Sequence, residues 1–208
     1  MILAIDCGNT NIVFALYNGD IQQANWRINT DPKRSADEYL VWLTQLMALN
    51  GINVDGISNV IIANVVPEVQ PKLISLAQRG FGLTPQVIGN EDIDLGIQIN
   101  IDRPDQAGAD RLVNAVAARD FYDLPAIILD FGTATTFDLI GKGGAYEGGI
   151  IAPGVNLSVE ALYLAAARLP RLAVEPWAVD MPVLGKDTIS AMRSGIFWGY
   201  VGMVDGLI

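Results

Sequence analysis

The 208-residue sequence contains no histidine and a single cysteine, and each scarcity removes a class of chemistry. Without histidine there is no Ser–His–Asp triad, no imidazole base and no histidine-built zinc site. With Cys7 alone no internal disulfide can form, which fits a reducing, cytoplasmic compartment. Basic residues are also scarce. Thirteen lysines and arginines against 23 acids leave a net charge of −10, the wrong sign for a nucleic-acid surface. No apolar run approaches the roughly 18 residues of a membrane span; Val60 to Val66 is interrupted by Asn64 and ends at Pro67. The opening lacks the basic start and long apolar stretch of a secretory signal. What the chain has in excess is apolar surface. Half of it is hydrophobic (51%) and only 17% is charged, with a mean hydropathy of +0.33, a balance that suggests an oligomeric interface. Any chemistry must rest on carboxylates, hydroxyls, backbone amides and a few basic side chains.

The order of elements is strand-rich, then alternating. Ile2 to Ile5 and Ile12 to Leu16 read as strands joined by a turn at Gly8 to Asn11, and Ile21 to Ile28 as a third strand after Gly19-Asp20. Tyr39, Leu40, Leu43, Leu46 and Met47 recur at helical spacing within Ala36 to Leu49. A buried strand follows at Val60 to Val66, then a helix from about Pro67 to Gln78, short extended pieces at Gln86 to Ile88 and Gly96 to Ile101, and a helix from about Asp110 to Phe121. This β-β-β-α-β-α order is not the βαβ repeat of a dinucleotide-binding fold.

The opening stretch recurs. Ala126 to Ile140 (AIILDFGTATTFDLI) repeats the grammar of Ile2 to Leu16 (ILAIDCGNTNIVFAL), with Asp130 where Asp6 falls, Gly132 where Gly8 falls, and Thr133 to Thr136 where Asn9 to Ile12 fall. One Asp-x-Gly turn is weak evidence; two imply halves of like topology. Glycine lets the backbone approach a ligand closely, and successive turn amides form a concavity suited to phosphate oxygens. Thr10, Asn11, Thr133, Thr135 and Thr136 add polar groups at the same places. An aspartate beside phosphates repels them unless a cation stands between, and magnesium, which bridges carboxylates to phosphates, fits. Two such hairpins facing each other would clamp one nucleotide. That arrangement resembles the actin-like ATPase superfamily.

Gly108-Ala-Asp-Arg111 leads into the helix of Leu112 to Arg119. Asp110 reads there either as a helix N-cap or as a functional acid. Taken with Asp6-Cys-Gly-Asn-Thr10 and Asp130-Phe-Gly-Thr-Ala-Thr-Thr136, the motif resembles the type III pantothenate kinases. Gly148 to Gly154 (GGIIAPG), Gly185-Lys-Asp-Thr188 and Ser194 to Gly199 (SGIFWG) are similar to that family too, in the family's order. The implied fold is α/β, with two domains of like topology (actin-like, ribonuclease H-like), each a mixed sheet flanked by helices. They would span residues 1–117 and 118–208, the second lacking its last elements.

The resemblance implies ATP-dependent phosphorylation of pantothenate, the first step of coenzyme A synthesis. It places Asp6, Cys7, Gly8, Asn9, Thr10, Asn11, Ile12 and Val13 around the ATP phosphates, Asp6 acting through water on Mg²⁺, with Thr133 also on ATP. It places Gly108, Ala109, Asp110, Arg111 and Thr188 around pantothenate, Asp110 as the base and Arg111 on the substrate carboxylate. Asp130 would bind K⁺ or NH₄⁺. The family works as a homodimer; no nucleic-acid or membrane partner is implied. Ile101 stands where many relatives carry an aromatic residue in the acceptor pocket, and Asp187 where asparagine is common. A kinase for another small alcohol and a transcription-activator-like regulator are the alternatives. A filament or chaperone ATPase would share both loops but has no use for Gly-Ala-Asp-Arg. Cys7, Trp26, Trp42, Trp177 and Trp198 are expected in the core or at an interface.

Overall fold

The computed structural model describes residues 1–166, 168–176 and 182–208; Trp177 lies outside them. The chain opens with three antiparallel strands, β1 (Ile2–Cys7), β2 (Asn11–Asn18) and β3 (Ile21–Asn29), followed by helix α1 (Ala36–Leu49). Strand β4 (Asn59–Asn64) returns parallel to β1, and after α2 (Gln70–Phe81) the two-residue β5 (Gln86–Val87) pairs parallel with β4. The sheet order is β3-β2-β1-β4-β5. Strand periodicity sends Leu3, Ile5 and Cys7 into a core shared with Tyr39, Leu43 and Met47 of α1 and Leu73, Leu76 and Ala77 of α2. The same alternation leaves Ala4 and Asp6 on the opposite face.

Helix α3 (Ala109–Phe121) leads to a second sheet of β6 (Ala126–Phe131), β7 (Ala134–Ile140) and β8 (Tyr146–Pro153), all antiparallel. Helices α4 (Val155–Ala165) and α5 (Thr188–Leu207) follow. Helix α3 packs against β4 of the first sheet and against β6 and β7 of the second. Its Leu112, Ala115 and Ala118 join Ile140 and Tyr146 in a second core, flanked by Ile88, Leu95, Ile97, Ile99 and Ile101. Wedged between the sheets, α3 delivers its N-terminal turn to the space between the two hairpins.

Three boundaries differ from the periodicity. Strand β4 stops at Asn64 rather than Val66, because the Asn64 side chain accepts the Val66 N–H (3.1 Å) and donates to the Val66 carbonyl (3.0 Å), closing a turn ahead of Pro67. Helix α2 then starts at Gln70 and ends on Gly82 in the left-handed conformation (φ +67°), so Gly80 lies inside it. The extended piece after Gly96 makes no strand; it clips to Tyr146 through an isolated parallel bridge at Ile99.

Candidate active site

The two hairpins form the site from both sides. In the first, the Gly8 N–H donates to the Asn11 carbonyl (3.0 Å), and Thr30 at the end of β3 braces the loop. Its N–H donates to the Thr10 carbonyl (2.9 Å) and its hydroxyl to the Gly8 carbonyl (2.6 Å). In the second, the Gly132 N–H donates to the Ala134 carbonyl (2.9 Å) and Gly154 donates to the Thr133 carbonyl (3.1 Å). Gly154 lies so close to the Gly132 and Thr133 carbonyls that no Cβ fits there. The loops meet directly: the Thr10 and Thr133 hydroxyls are 2.7 Å apart, although 123 positions separate them in sequence.

The register refines the repeat. Asp6 pairs with Val13, whereas Asp130 pairs with Thr136, so the second turn is one residue shorter. Aspartates and glycines superpose as the sequences align, but beyond the turn Thr136 corresponds to Val13, not Ile12. Counted from the second strand, Thr133 is the counterpart of Thr10, and these are the threonines that touch. The other hydroxyls go elsewhere. Thr135 is fully buried, and Thr136 donates to Asp138 (3.3 Å). Of the first loop's residues, Cys7 and Ile12 turn their side chains into the core, leaving only backbone for a ligand. Burial, and then the charge of Asp6, push the Cys7 thiol up to about 12, so it is inert.

Three carboxylates converge between the loops. The Asp6 carboxyl is raised above the usual aspartate range, first by desolvation and then by the negative fields of Asp110 and Asp130; Arg27 offsets part of this. Among the described residues no three acidic or thiol side chains stand close enough to hold a metal ion by themselves. Such a donor set suits magnesium, which takes one or two carboxylates and completes its shell with water and phosphate oxygens. Asp110 is not the cap of α3. Gly108 occupies the cap position, and Asp110 sits in the first turn with its Oδ1 accepting the Arg111 N–H at 2.8 Å. That leaves its other oxygen with no hydrogen bond among the described residues.

Arg111 is anchored by a residue the sequence reading passed over. Its Nε donates to Asp138 Oδ1 at 2.7 Å, and Nη2 lies 2.6 Å from the same oxygen. The Asp138 side chain is wholly buried; that of Arg111 is 15% exposed. Tyr146 also donates to Asp138 Oδ1 (2.9 Å), and its ring lies 5.7 Å from the Arg111 guanidinium. Burial works against the Arg111 charge, but Asp138 first, with Tyr146 and Asp110, more than offsets it. Tyr146 is pushed up to about 12 by burial and by the Asp138 bond and charge. The sequence signal for Asp138 is an acid flanked by Phe137 and Leu139 within a strand. Ile101 packs in the second core, its Cγ2 facing Gly148. Thr188 is exposed as the first residue of α5, and Asp187 caps that helix by accepting the Ser190 N–H (2.9 Å). The structure thus gathers Asp6, Asp110, Asp130, Thr10 and Thr133, and no described contact joins Thr188 to them.

Paired strand–turn–strand loops facing each other across an acidic cleft have the form expected of a phosphotransferase of actin-like fold. The sequence profile of the type III pantothenate kinases matches residues 2–208. The chain is 55% identical over 208 residues to the type III pantothenate kinase of Paramagnetospirillum magneticum, covering 100% of this chain and 79% of that one. It is 54% identical to that of Rhodospirillum rubrum, with 100% and 80% covered. Among solved structures, the Aquifex aeolicus Ppx/GppA phosphatase, type II variant, aligns with a TM-score of 0.45 at 13% identity, covering 98% of this chain and 63% of that one. The chain belongs to the type III pantothenate kinase family and is a kinase. No helix among the described residues is long and apolar enough to cross a membrane.

Proposed function

We propose that the protein transfers the γ-phosphoryl group of ATP to the primary hydroxyl of pantothenate, giving 4′-phosphopantothenate for coenzyme A synthesis. The observation that carries this reading is the convergence of Asp110 with Asp6 and Asp130 at the meeting point of the two loops. The loop amides around Gly8 and Gly132 hold the ATP phosphates, with the Thr10 and Thr133 hydroxyls between them. Asp6 would hold Mg²⁺ through water, and Asp130, at the end of β6, would hold K⁺ or NH₄⁺. Cations bound there would neutralise phosphate charge. Gly108 to Arg111, with Thr188, receive the acceptor, and Arg111 meets its carboxylate. The acceptor oxygen attacks the γ-phosphorus in line, the bond to the β-phosphate oxygen breaks and ADP leaves; the hydroxyl proton passes to Asp110. The transition state is loose, so positioning supplies most of the acceleration. The lobes, 1–117 and 118–208, divide within α3, which presents the acceptor side to both.

The test is Asp110→Asn. Because Gly108 is the cap, the substitution removes no capping bond, and an amide oxygen still accepts the Arg111 N–H. The variant is expected to fold and bind Mg-ATP like the wild type while turnover falls by roughly 10²–10⁴-fold, the worth of a positioned base. Undiminished turnover would remove Asp110 from that role.

A further inference from the structure

A charge pair as buried as Asp138 and Arg111 needs an explanation other than stability. Exchanging such a pair for apolar side chains is often neutral or stabilising, whereas removing one partner is costly. Docking α3 on β7 requires no charge, since Leu112, Ala115 and Ile140 already pack there. The surroundings are built for geometry. Asp138 Oδ1 receives Arg111 Nε at 2.7 Å and the Tyr146 hydroxyl at 2.9 Å, while Oδ2 receives Thr136 at 3.3 Å. Gly149, opposite Asp138 in the ladder, leaves no space for a Cβ against the Phe137 carbonyl, Asp138 and Arg111. One edge of the guanidinium faces Asp138, bonded through Nε; Nη2 is buried and ion-paired with the same oxygen at 2.6 Å but makes no hydrogen bond. Nη1 is not buried and makes no hydrogen bond among the described residues.

We infer that Asp138, with Tyr146, is a positioning residue for acceptor recognition: it fixes the Arg111 guanidinium edge-on, so that Nη1 is held out to the acceptor carboxylate beside Asp110. This inference rests on the reading of Arg111 above. It goes further in tying acceptor alignment to β7, the strand that carries the second phosphate loop. Asp138 then governs selectivity for an anionic acceptor and leaves nucleotide binding alone.

The experiment compares pantothenate with its neutral primary amide as acceptors for the wild type, Asp138→Asn and Tyr146→Phe, alongside the dissociation constant for Mg-ATP. Losing the alignment is expected to lower kcat/KM for pantothenate by about 10²-fold in Asp138→Asn, the scale of a 1 Å misplacement. For Tyr146→Phe, which keeps the ring and loses one hydrogen bond, the expected loss is roughly 2–10-fold. The amide has no carboxylate to misalign, so its kcat/KM changes little, the preference for pantothenate collapses, and Mg-ATP affinity is retained. A merely structural role would lower both acceptors together or move only thermal stability. If the wild type prefers pantothenate and folded variants keep that preference, the role of Asp138 is overturned; Tyr146→Phe decides this should Asp138→Asn not fold. A wild type that does not distinguish the acceptors overturns the Arg111 reading itself, and this inference with it.

Discussion

At the scale of single residues, Asp6 shows how a site weighs against the fold that carries it. Its folded-state pKa is raised, so the folded protein holds that proton more tightly than the unfolded chain does. The stabilisation this gives is complete below the usual aspartate pKa and is lost as pH rises through the folded value. Above both values the ionised carboxylate opposes folding unless a cation compensates it. Asp6→Asn is therefore expected to raise the melting temperature of the magnesium-free protein at neutral pH and to leave it unchanged in strong acid. The variant should also lose most of the further stabilisation that Mg-ATP gives the wild type, since a ligand stabilises only what it binds. Parallel melting curves for the two proteins across pH would refute the account of Asp6. That this acid needs a reason was readable in the sequence, because it ends an apolar strand before Gly-Asn-Thr. Asp138 and Thr30 were not readable. Their partners, Arg111 and the Gly8 carbonyl, come from other elements, and no local pattern records such pairings.

At the scale of elements, the repeated hairpin was legible because strand periodicity and an Asp-x-Gly turn are both local signals. Its register was not, since one residue fewer in the second turn changes which threonine faces the first loop only when the strands pair. The glycines of the two loops separate ligand requirements from folding requirements. A Cβ on Gly8 would meet only the Asn11 carbonyl at 3.4 Å, and one on Gly132 only atoms at 3.6 Å and beyond. Neither has the positive φ that favours glycine. Gly8→Ala and Gly132→Ala are therefore expected to fold with near wild-type stability and to bind ATP more weakly, because the added methyl stands where phosphate approaches. Gly154→Ala, pressed on the second loop's carbonyls, should instead destabilise the protein itself. Calorimetric melting beside ATP titration checks this; a strongly destabilised Gly8→Ala, or one binding ATP normally, would contradict it. The helix carrying Asp110 begins within a residue of where periodicity puts it, and Gly108 as its cap rules out the capping alternative for Asp110, which only the backbone could decide because glycine and aspartate both start helices.

At the scale of the whole molecule, part of the apolar excess lies exposed on the last two helices. Leu157, Leu162 and Leu164 of α4 and Ile189 and Val201 of α5 are exposed, and a cavity of about 1120 Å³ opens beneath α5, lined by Val159, Met192, Ile196 and Val204. It lies apart from Asp6, Asp110 and Arg111. The chain spans about four fifths of the length of the relatives it matches. We propose that this face is where a homodimer forms, since exposed apolar side chains concentrated on two neighbouring helices suit an association site. Sedimentation at micromolar concentration should show a dimer that Val201→Glu dissociates; a monomer throughout would refute the assignment. Composition made the excess visible but not its place, which follows from how α4 and α5 pack on the end of β8 through Tyr200, Ser158 and the Pro153 carbonyl. The claim at the centre is that three carboxylates between two phosphate loops serve phosphoryl transfer to pantothenate. Its most direct test is mass-spectrometric detection of the acceptor after incubation of the protein with Mg-ATP and pantothenate among a panel of other small alcohols. The account predicts a phosphorylated product from pantothenate above all others, formed together with ADP; ADP without a phosphorylated acceptor, or preference for another alcohol, would contradict it.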